Sequence, residues 1–183
     1  MKDVSLLLPK VQTMTNEFLS KCQSAGYNVI ITSTYRDESE QNALYAKGRT
    51  SPGNVVTNAK FGDSMHNWKV AIDFAPIDKN GDIPWSDKVL FSKIGAIGEE
   101  CGFEWGGRWE TFLDMPHLQY TAGYSLQDFK EGKVDYSKFG VTNKKHVDEF
   151  LVALNNFQKA EGIPPAPKIG PKTTASLKRY GIM

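Results

Sequence analysis

The sequence feature that most restricts the fold is an aspartate inside an apolar run. Residues 70–75 read Val-Ala-Ile-Asp-Phe-Ala, a composition typical of a buried β-strand. Aspartate is depleted in strands, and a buried charge without a partner is costly. Asp73 therefore needs a partner, and the fold must bring one to it. An arginine, a backbone donor or a metal ion with His66 as co-ligand would each serve.

Around this run, segments of helical periodicity alternate with short β-rich segments. Apolar residues three or four apart predict a helix over 10–25, and Asp37 is placed to cap a second over 38–47. A third helix is predicted from a cap at Ser86 to Glu100. Further strands are predicted at 28–33, 70–74, 103–105 and 117–120. Because the strands lack a regular βαβ rhythm, the pattern favours an α+β fold. The predicted apolar face of the third helix comprises Val89, Leu90, Ile94, Ile97 and Cys101.

The chain has 183 residues, enough for one domain and a small additional module. Residues 125–142 are polar and poor in candidate core residues, so we expect a linker there. Helical periodicity returns afterwards, interrupted by a proline-rich turn. We therefore expect a main domain over 1–124 and a small helical module over 143–183.

Charge and composition narrow the class of protein. The net charge is +1, which removes the main argument for a nucleic-acid partner. Cys22 and Cys101 lie at apolar helix positions, and we expect both to be reduced core residues. No segment looks like a secretory signal or a membrane span, so we expect a chain that is made in the cytoplasm and does not insert into membranes. We also expect a monomer.

Two short segments carry the candidate chemistry. His66 precedes Asp73 by seven residues, and His117 follows Asp114 by three. Two histidines and one carboxylate suit a catalytic zinc ion with one position left for water. Spacing alone leaves open both this metal centre and a purely structural role for the histidines. The third histidine, His146, falls on the polar side of a predicted helix and is expected at the surface.

Two further residues fit a hydrolytic reaction at such a centre. Asp114 would be held near the metal by its spacing from His117, and could take a proton from water without being a ligand. Arg36 follows the first predicted strand and could bind a substrate carboxylate or a developing oxyanion.

The same segments match a known family pattern, Ser-x-His-x-x-Gly-x-Ala-x-Asp followed by an acid, two residues and a histidine. The chain resembles the LAS group of metallopeptidases, and more closely its D-alanyl-D-alanine carboxypeptidase and phage endolysin branch. Upstream and downstream segments are similar to the L-alanyl-D-glutamate endopeptidase endolysins. The matching positions are Ser64, His66, Ala71, Asp73, Asp114 and His117, with Thr34-Tyr35-Arg36, Gln41, residues 44–50 and residues 104–107.

The resemblance implies a small antiparallel sheet with flanking helices and one zinc ion. It implies that residues 1–124 form a zinc peptidase domain that hydrolyses the L-alanyl-D-glutamate bond of the peptidoglycan stem peptide. Its ligands would be His66, Asp73 and His117, its base Asp114, its transition-state or substrate arginine Arg36, and its further substrate contacts Gln41 and Ser64.

The chain departs from the pattern at Lys69, where the family has glycine. A backbone with positive φ there would cost a lysine on the order of 1 kcal/mol. Two alternatives stay open: a D-alanyl-D-alanine carboxypeptidase, and a non-catalytic wall-binding protein on the same fold, for which Lys69 is the only sequence support.

The segment 143–183 faintly resembles helical peptidoglycan-binding domains, although a purely structural appendage fits equally well. With the expected cytoplasmic synthesis, this layout suggests a phage endolysin that reaches the bacterial cell wall once a holin opens the membrane.

Overall fold

The computed structural model describes residues 2–141, which form one antiparallel sheet with flanking helices. The strand order is β1-β2-β4-β3, and every neighbouring pair is antiparallel. This confirms the predicted α+β class. The elements are α1 Pro9–Ser24, β1 Val29–Ser33, α2 Glu38–Ala46, β2 Ala71–Pro76, α3 Lys88–Glu100, β3 Glu104–Trp105, β4 His117–Gln119 and α4 Leu126–Lys130.

The register of the sheet divides its residues between two faces. Asp73 of β2 pairs with His117 of β4, whereas Ile72 pairs with Leu118. Because successive side chains of a strand point to opposite faces, Asp73 and His117 share one face and the two apolar residues share the other. Ile72 and Leu118 are fully buried. One face of the sheet is therefore core, and the other carries the polar site.

Helices α1 and α3 cover the apolar face. Phe74 packs between them, with ring centroids 5.4 Å from Phe18 and 5.7 Å from Phe91. On α3, a Cβ at Gly98 would lie 2.6 Å from a methyl carbon of Leu118. The absence of a side chain at this helix position lets α3 sit close to β4. Cys22 and Cys101 are free and buried, as expected.

The helix ends mostly agree with the predictions. Asp37 caps α2 by accepting a hydrogen bond from the Glu40 amide at 2.8 Å. The third helix is capped one residue later than predicted, by Asp87 instead of Ser86, because the Asp87 carboxylate accepts from the Leu90 amide at 2.9 Å. The predicted face of this helix is also partly wrong. Val89 is exposed, and Phe91 takes the buried position.

The predicted linker is wrong for residues 125–141, which pack onto the domain core. Helix α4 begins there, and Phe129 and Phe139 are fully buried. Their ring centroids are 6.0 Å apart, and the Phe129 ring lies 5.7 Å from that of Trp68. A few aromatic residues bury enough area to fix an otherwise polar segment. The helical module predicted over 143–183, with His146, lies outside the described residues.

Within residues 2–141, no helix has the length and apolar composition needed to cross a membrane.

Candidate metal centre and active-site cleft

Three side chains from different elements converge on the polar face of the sheet. His66 comes from the 3-10 turn Met65–Trp68, Asp73 from β2, and His117 from the start of β4. The same oxygen of Asp73 lies 3.1 Å from His66 Nε2 and 3.2 Å from His117 Nδ1. One ligand atom from each residue lies within 4.8 Å of the others, so the three could hold a metal ion.

The outer nitrogens of both histidines have acceptors. His66 Nδ1 lies 2.6 Å from the carbonyl oxygen of Thr34, and His117 Nε2 lies 3.1 Å from the Gln119 side-chain oxygen. If each outer nitrogen carries its proton, each inner nitrogen of a neutral ring presents a lone pair to the Asp73 carboxylate. Acceptors that face each other need a cation between them, either a proton or a metal ion. The donor set therefore fits a metal ion.

Burial and charge act against each other in this cluster. Burial lowers the pKa of His66, and the Asp73 carboxylate only partly offsets that effect. For His117 burial also acts downward, but the hydrogen bond and charge of Asp73 raise its pKa above the usual value. Burial alone would raise the pKa of Asp73, yet the two histidines hold it well below its usual range. Asp73 is therefore an ionised carboxylate at neutral pH.

Arg36 provides a further partner for Asp73. Its Nη2 forms an ion pair with the second Asp73 oxygen, and its Nε donates to the Ser33 hydroxyl at 2.9 Å. Nη1 has no hydrogen-bond partner within residues 2–141, and Arg36 lines the cleft. The buried aspartate therefore has two of the three partners considered from sequence, an arginine and a potential metal centre.

Asp114 is held beside the centre by its main chain. Its amide donates to the Gly106 carbonyl at 3.0 Å, and its carbonyl accepts from the His117 amide at 3.2 Å. A Cβ at Gly106 would lie 2.5 Å from the Asp114 oxygen, so this close approach requires glycine. Burial raises the pKa of Asp114, and the nearby charge of His117 partly offsets the rise.

The cleft around the centre encloses about 440 Å³. The loop 56–59 forms part of its lining, and three aromatic residues contribute to the rest, with the Trp109 ring 5.1 Å from that of His117. Trp85 and Phe112 line the cleft although more than half of each is exposed. Sequence patterns do not single out these aromatic residues, since they lie in loops without periodicity.

Ser64 and Gln41, the other expected substrate contacts, occupy different places. Ser64 lines the cleft. Gln41 is fully buried and does not line it. Its side-chain nitrogen donates to the Ala59 carbonyl at 2.8 Å, so Gln41 supports the 56–59 wall from behind.

Lys69 adopts the backbone conformation that the family's glycine suggests. Its φ is 63° and its ψ is 26°, in the left-handed region, at the end of the turn that carries His66. Its Nζ lies 5.0 Å from the centroid of the Tyr35 ring. The lysine is therefore accommodated between the two ligand segments, with local backbone strain.

Two residues to which the sequence assigned no role at the site lie next to His117. Gln119 and Glu104 are joined by a hydrogen bond of 2.9 Å, and Gln119 also faces His117. The available signal was the i, i+2 spacing of His117 and Gln119 on a predicted strand, which places them on one face.

A polar cleft built on two histidines and an aspartate is typical of a metallopeptidase. Comparison with known proteins agrees. Residues 57–120, which hold the three converging side chains and Asp114, match the family described as D-alanyl-D-alanine carboxypeptidase. The peptidoglycan L-alanyl-D-glutamate endopeptidase CwlK of Bacillus subtilis (strain 168) is 39% identical over 121 residues, which are 62% of this chain and 72% of that protein.

The chain belongs to this family of peptidoglycan peptidases. The L-alanyl-D-glutamate peptidase of Listeria phage A118 is 30% identical over 71% of this chain and 44% of its own length. Among solved structures, the Serratia marcescens L-Ala D-Glu endopeptidase ChiX aligns with a TM-score of 0.48 at 20% identity, over 69% of this chain and 86% of that chain. The D,D-dipeptidase VanXYg aligns with a TM-score of 0.48 at 19% identity, over 73% and 58%.

Proposed function

We propose that this chain is a zinc-dependent peptidoglycan hydrolase that cleaves the L-alanyl-D-glutamate bond of the stem peptide. The observation that carries the proposal is the convergence of His66, Asp73 and His117 in one cleft with Asp114. The relatives named for this bond, in Bacillus subtilis and in a Listeria phage, support the choice of substrate.

The three converging residues would hold one zinc ion. Two neutral imidazoles and a carboxylate are ligands that zinc accepts, and three protein ligands leave a position open for catalysis. When bound, zinc lowers the pKa of a water molecule and polarises the scissile carbonyl. The outer hydrogen bonds of His66 and His117 hold both rings in the orientation that this task needs.

Asp114 would act as the general base. Its carboxylate lines the cleft beside the metal centre, and the main-chain contacts with Gly106 and His117 restrict its position. Burial raises its pKa, which makes the carboxylate a stronger base than one in water. It would accept a proton from the attacking water and pass it to the leaving amine of D-glutamate.

Arg36 and the cleft walls would position the stem peptide. The free Nη1 of Arg36 could bind a substrate carboxylate or stabilise the oxyanion, while Nη2 stays with Asp73. Ser64 and the loop 56–59 offer polar groups along one side of the cleft. The aromatic side chains that line the cleft could pack against the peptide's methyl and methylene groups.

We further propose a monomer that acts on the cell wall after release from the cytoplasm through a holin lesion. The phage relative supports this setting. The segment 143–183 would then assist binding to the wall. Export of the protein from a bacterium that lacks any holin would contradict the proposed route.

The test digests purified peptidoglycan with the wild type and with Asp114→Asn, and identifies the new termini by mass spectrometry. Asp82→Asn is the matched control, because it makes the same change at an exposed aspartate away from the cleft. We expect new N-terminal D-glutamate from the wild type and the control. Asp114→Asn should retain zinc but lose roughly 1,000-fold in rate.

A second candidate is a D-alanyl-D-alanine carboxypeptidase, which the description of the matched family favours. The same digest separates the two activities, since the carboxypeptidase would release free D-alanine and expose no new D-glutamate terminus. Binding to the wall without any released fragment would support the non-catalytic alternative instead.

A further inference from the structure

We propose that Glu104 and Gln119 are positioning residues that determine which nitrogen of His117 carries the proton. By placing it on Nε2, they leave Nδ1 free to bind the metal ion. The inference rests on the proposed function, because it concerns the same metal centre.

The sheet brings these three side chains together in a row. His117 and Gln119 are two residues apart on β4 and so share a face, and Glu104 of β3 lies directly opposite Gln119 in the β3–β4 register. His117 Nε2 lies 3.1 Å from Gln119 Oε1, and Gln119 Nε2 lies 2.9 Å from Glu104 Oε2. The row therefore leads from the buried ligand to a carboxylate at the sheet edge.

Gln119 alone would not fix the state of His117. An amide side chain has a donating end and an accepting end, and a half-turn about its last bond exchanges them. With the oxygen toward His117, the imidazole must donate from Nε2, which leaves a lone pair on Nδ1. With the nitrogen toward His117, Nε2 must accept, and the proton of the neutral ring moves to Nδ1, where it would block the metal.

Glu104 removes this ambiguity. Its carboxylate only accepts hydrogen bonds, so the end of Gln119 that faces it must be the NH2 group. Its other oxygen accepts from the hydroxyl of Thr121, which holds the carboxylate in place. Glu104 itself is exposed, but Gln119 and Thr121 are both buried, so the donor ends of these contacts are shielded from water. The charge at position 104 thus sets the direction of every hydrogen bond up to His117.

The other histidine needs no such arrangement. His66 Nδ1 faces a main-chain carbonyl, that of Thr34, which can only accept. The proposed role of Glu104 and Gln119 is therefore specific to His117, and a general disturbance of the cluster would affect both histidines.

The test measures zinc affinity by chelator competition in Glu104→Gln. An amide at position 104 can donate as well as accept, so Gln119 is free to turn and the blocking state of His117 becomes populated. We expect the zinc dissociation constant to rise about 10- to 100-fold. Glu131→Gln is the matched control, because Glu131, at the C-terminal end of α4, also accepts from a glutamine amide, that of Gln127 at 2.7 Å, and both side chains are exposed.

A double variant separates positioning from mere structural support. In Glu104→Gln with Gln119→Glu, the amide at 104 can donate to the carboxylate at 119, whose other oxygen accepts from His117 Nε2. We expect zinc affinity to recover toward the wild type. Gln119→Glu alone also presents an acceptor to His117 Nε2, so it should keep the proton there, but it should lower stability because two carboxylates lie opposite each other.

Nitrogen NMR of the metal-free protein in mildly alkaline buffer gives a readout independent of zinc. We expect His117 Nε2 to be protonated throughout in the wild type, and Glu104→Gln to contain a fraction of His117 with an unprotonated Nε2. Zinc affinity of Glu104→Gln within about twofold of the Glu131→Gln control, or an unprotonated His117 Nε2 in the wild type, would overturn the inference. A wild type that binds no zinc would refute the proposed function, and the NMR result would still decide the role of Glu104.

Discussion

Gly106 and Asp114 are joined by main-chain contact. The Asp114 amide donates to the Gly106 carbonyl at 3.0 Å, and a Cβ at Gly106 would lie 2.5 Å from the Asp114 carbonyl oxygen. The opposing atom belongs to the backbone, so it cannot rotate away. The position of the proposed general base is therefore set by the lack of a side chain eight residues earlier.

Gly106→Ala should lower the rate of peptidoglycan hydrolysis by about 100-fold, because the added methyl group displaces the Asp114 segment. Gly81→Ala is the control, since that glycine has positive φ but open space around it. The control should lose some stability and keep its activity per folded molecule. Equal activity in the two folded variants would show that the contact does not position the base.

At Lys69, the backbone conformation predicts an order of stability among substitutions. A β-branched side chain tolerates the left-handed region poorly, whereas glycine enters it freely. We expect Lys69→Gly to be more stable than Lys69→Val, with a free energy of unfolding roughly 1–2 kcal/mol higher. Chemical denaturation measures the difference.

The same pair of substitutions at Lys79 is the control for Lys69. Lys79 is exposed, and its φ is not among the positive values. Any difference in the free energy of unfolding between Lys79→Gly and Lys79→Val reflects ordinary loop propensity. A difference at Lys79 as large as that at Lys69 would argue against backbone strain at position 69.

Gln41→Leu should loosen the 56–59 wall while the metal centre remains intact. The substitution removes the bond from the Gln41 side chain to the Ala59 carbonyl, which we expect to cost about tenfold in kcat/KM. Zinc affinity should be unchanged, and limited proteolysis should cut the 56–59 loop faster. Gln23→Leu, at an exposed position of α1, provides the control. Lost activity without faster cleavage would instead favour direct substrate contact by Gln41.

The buried thiols should resist alkylation in the native protein. Burial raises the pKa of Cys22 to about 12, and it also raises the pKa of Cys101. A raised thiol pKa leaves little reactive thiolate at about pH 8, and the surrounding core excludes the reagent. Iodoacetamide should therefore label neither cysteine until the protein is unfolded by denaturant. Rapid native labelling of Cys22 would contradict this burial.

The sequence predicts the inner site better than its surroundings. His66, Asp73 and His117 could be proposed because a charged residue in an apolar strand demands partners, and the family pattern supplied them. The residues of the cleft walls could not be predicted from sequence, since the positions of Trp85 and Phe112 beside the centre depend on how the loops fold over the sheet. The position of Gln41 behind a wall is likewise a tertiary result.

The errors in the fold have similar causes. Asp87 displaced Ser86 as the cap of α3, since both residue types can cap and local sequence does not separate adjacent candidates. The segment 125–141 looks polar by composition, yet Phe129, Val134, Phe139 and Val141 are buried in the core. A count of apolar residues therefore underestimates how firmly a segment packs when a few side chains account for most of its buried area.

The two histidines are oriented by different kinds of acceptor, and this gives them different freedom to vary. For His66 the acceptor is the main-chain carbonyl of Thr34, so the contact does not depend on which side chain stands at position 34. The Thr34 hydroxyl donates instead to the Asp3 carbonyl. For His117 the acceptor belongs to an exchangeable side chain whose direction depends on another. Among related sequences, residues 104 and 119 should therefore change together, because a substitution at one position impairs the site unless the other compensates for it.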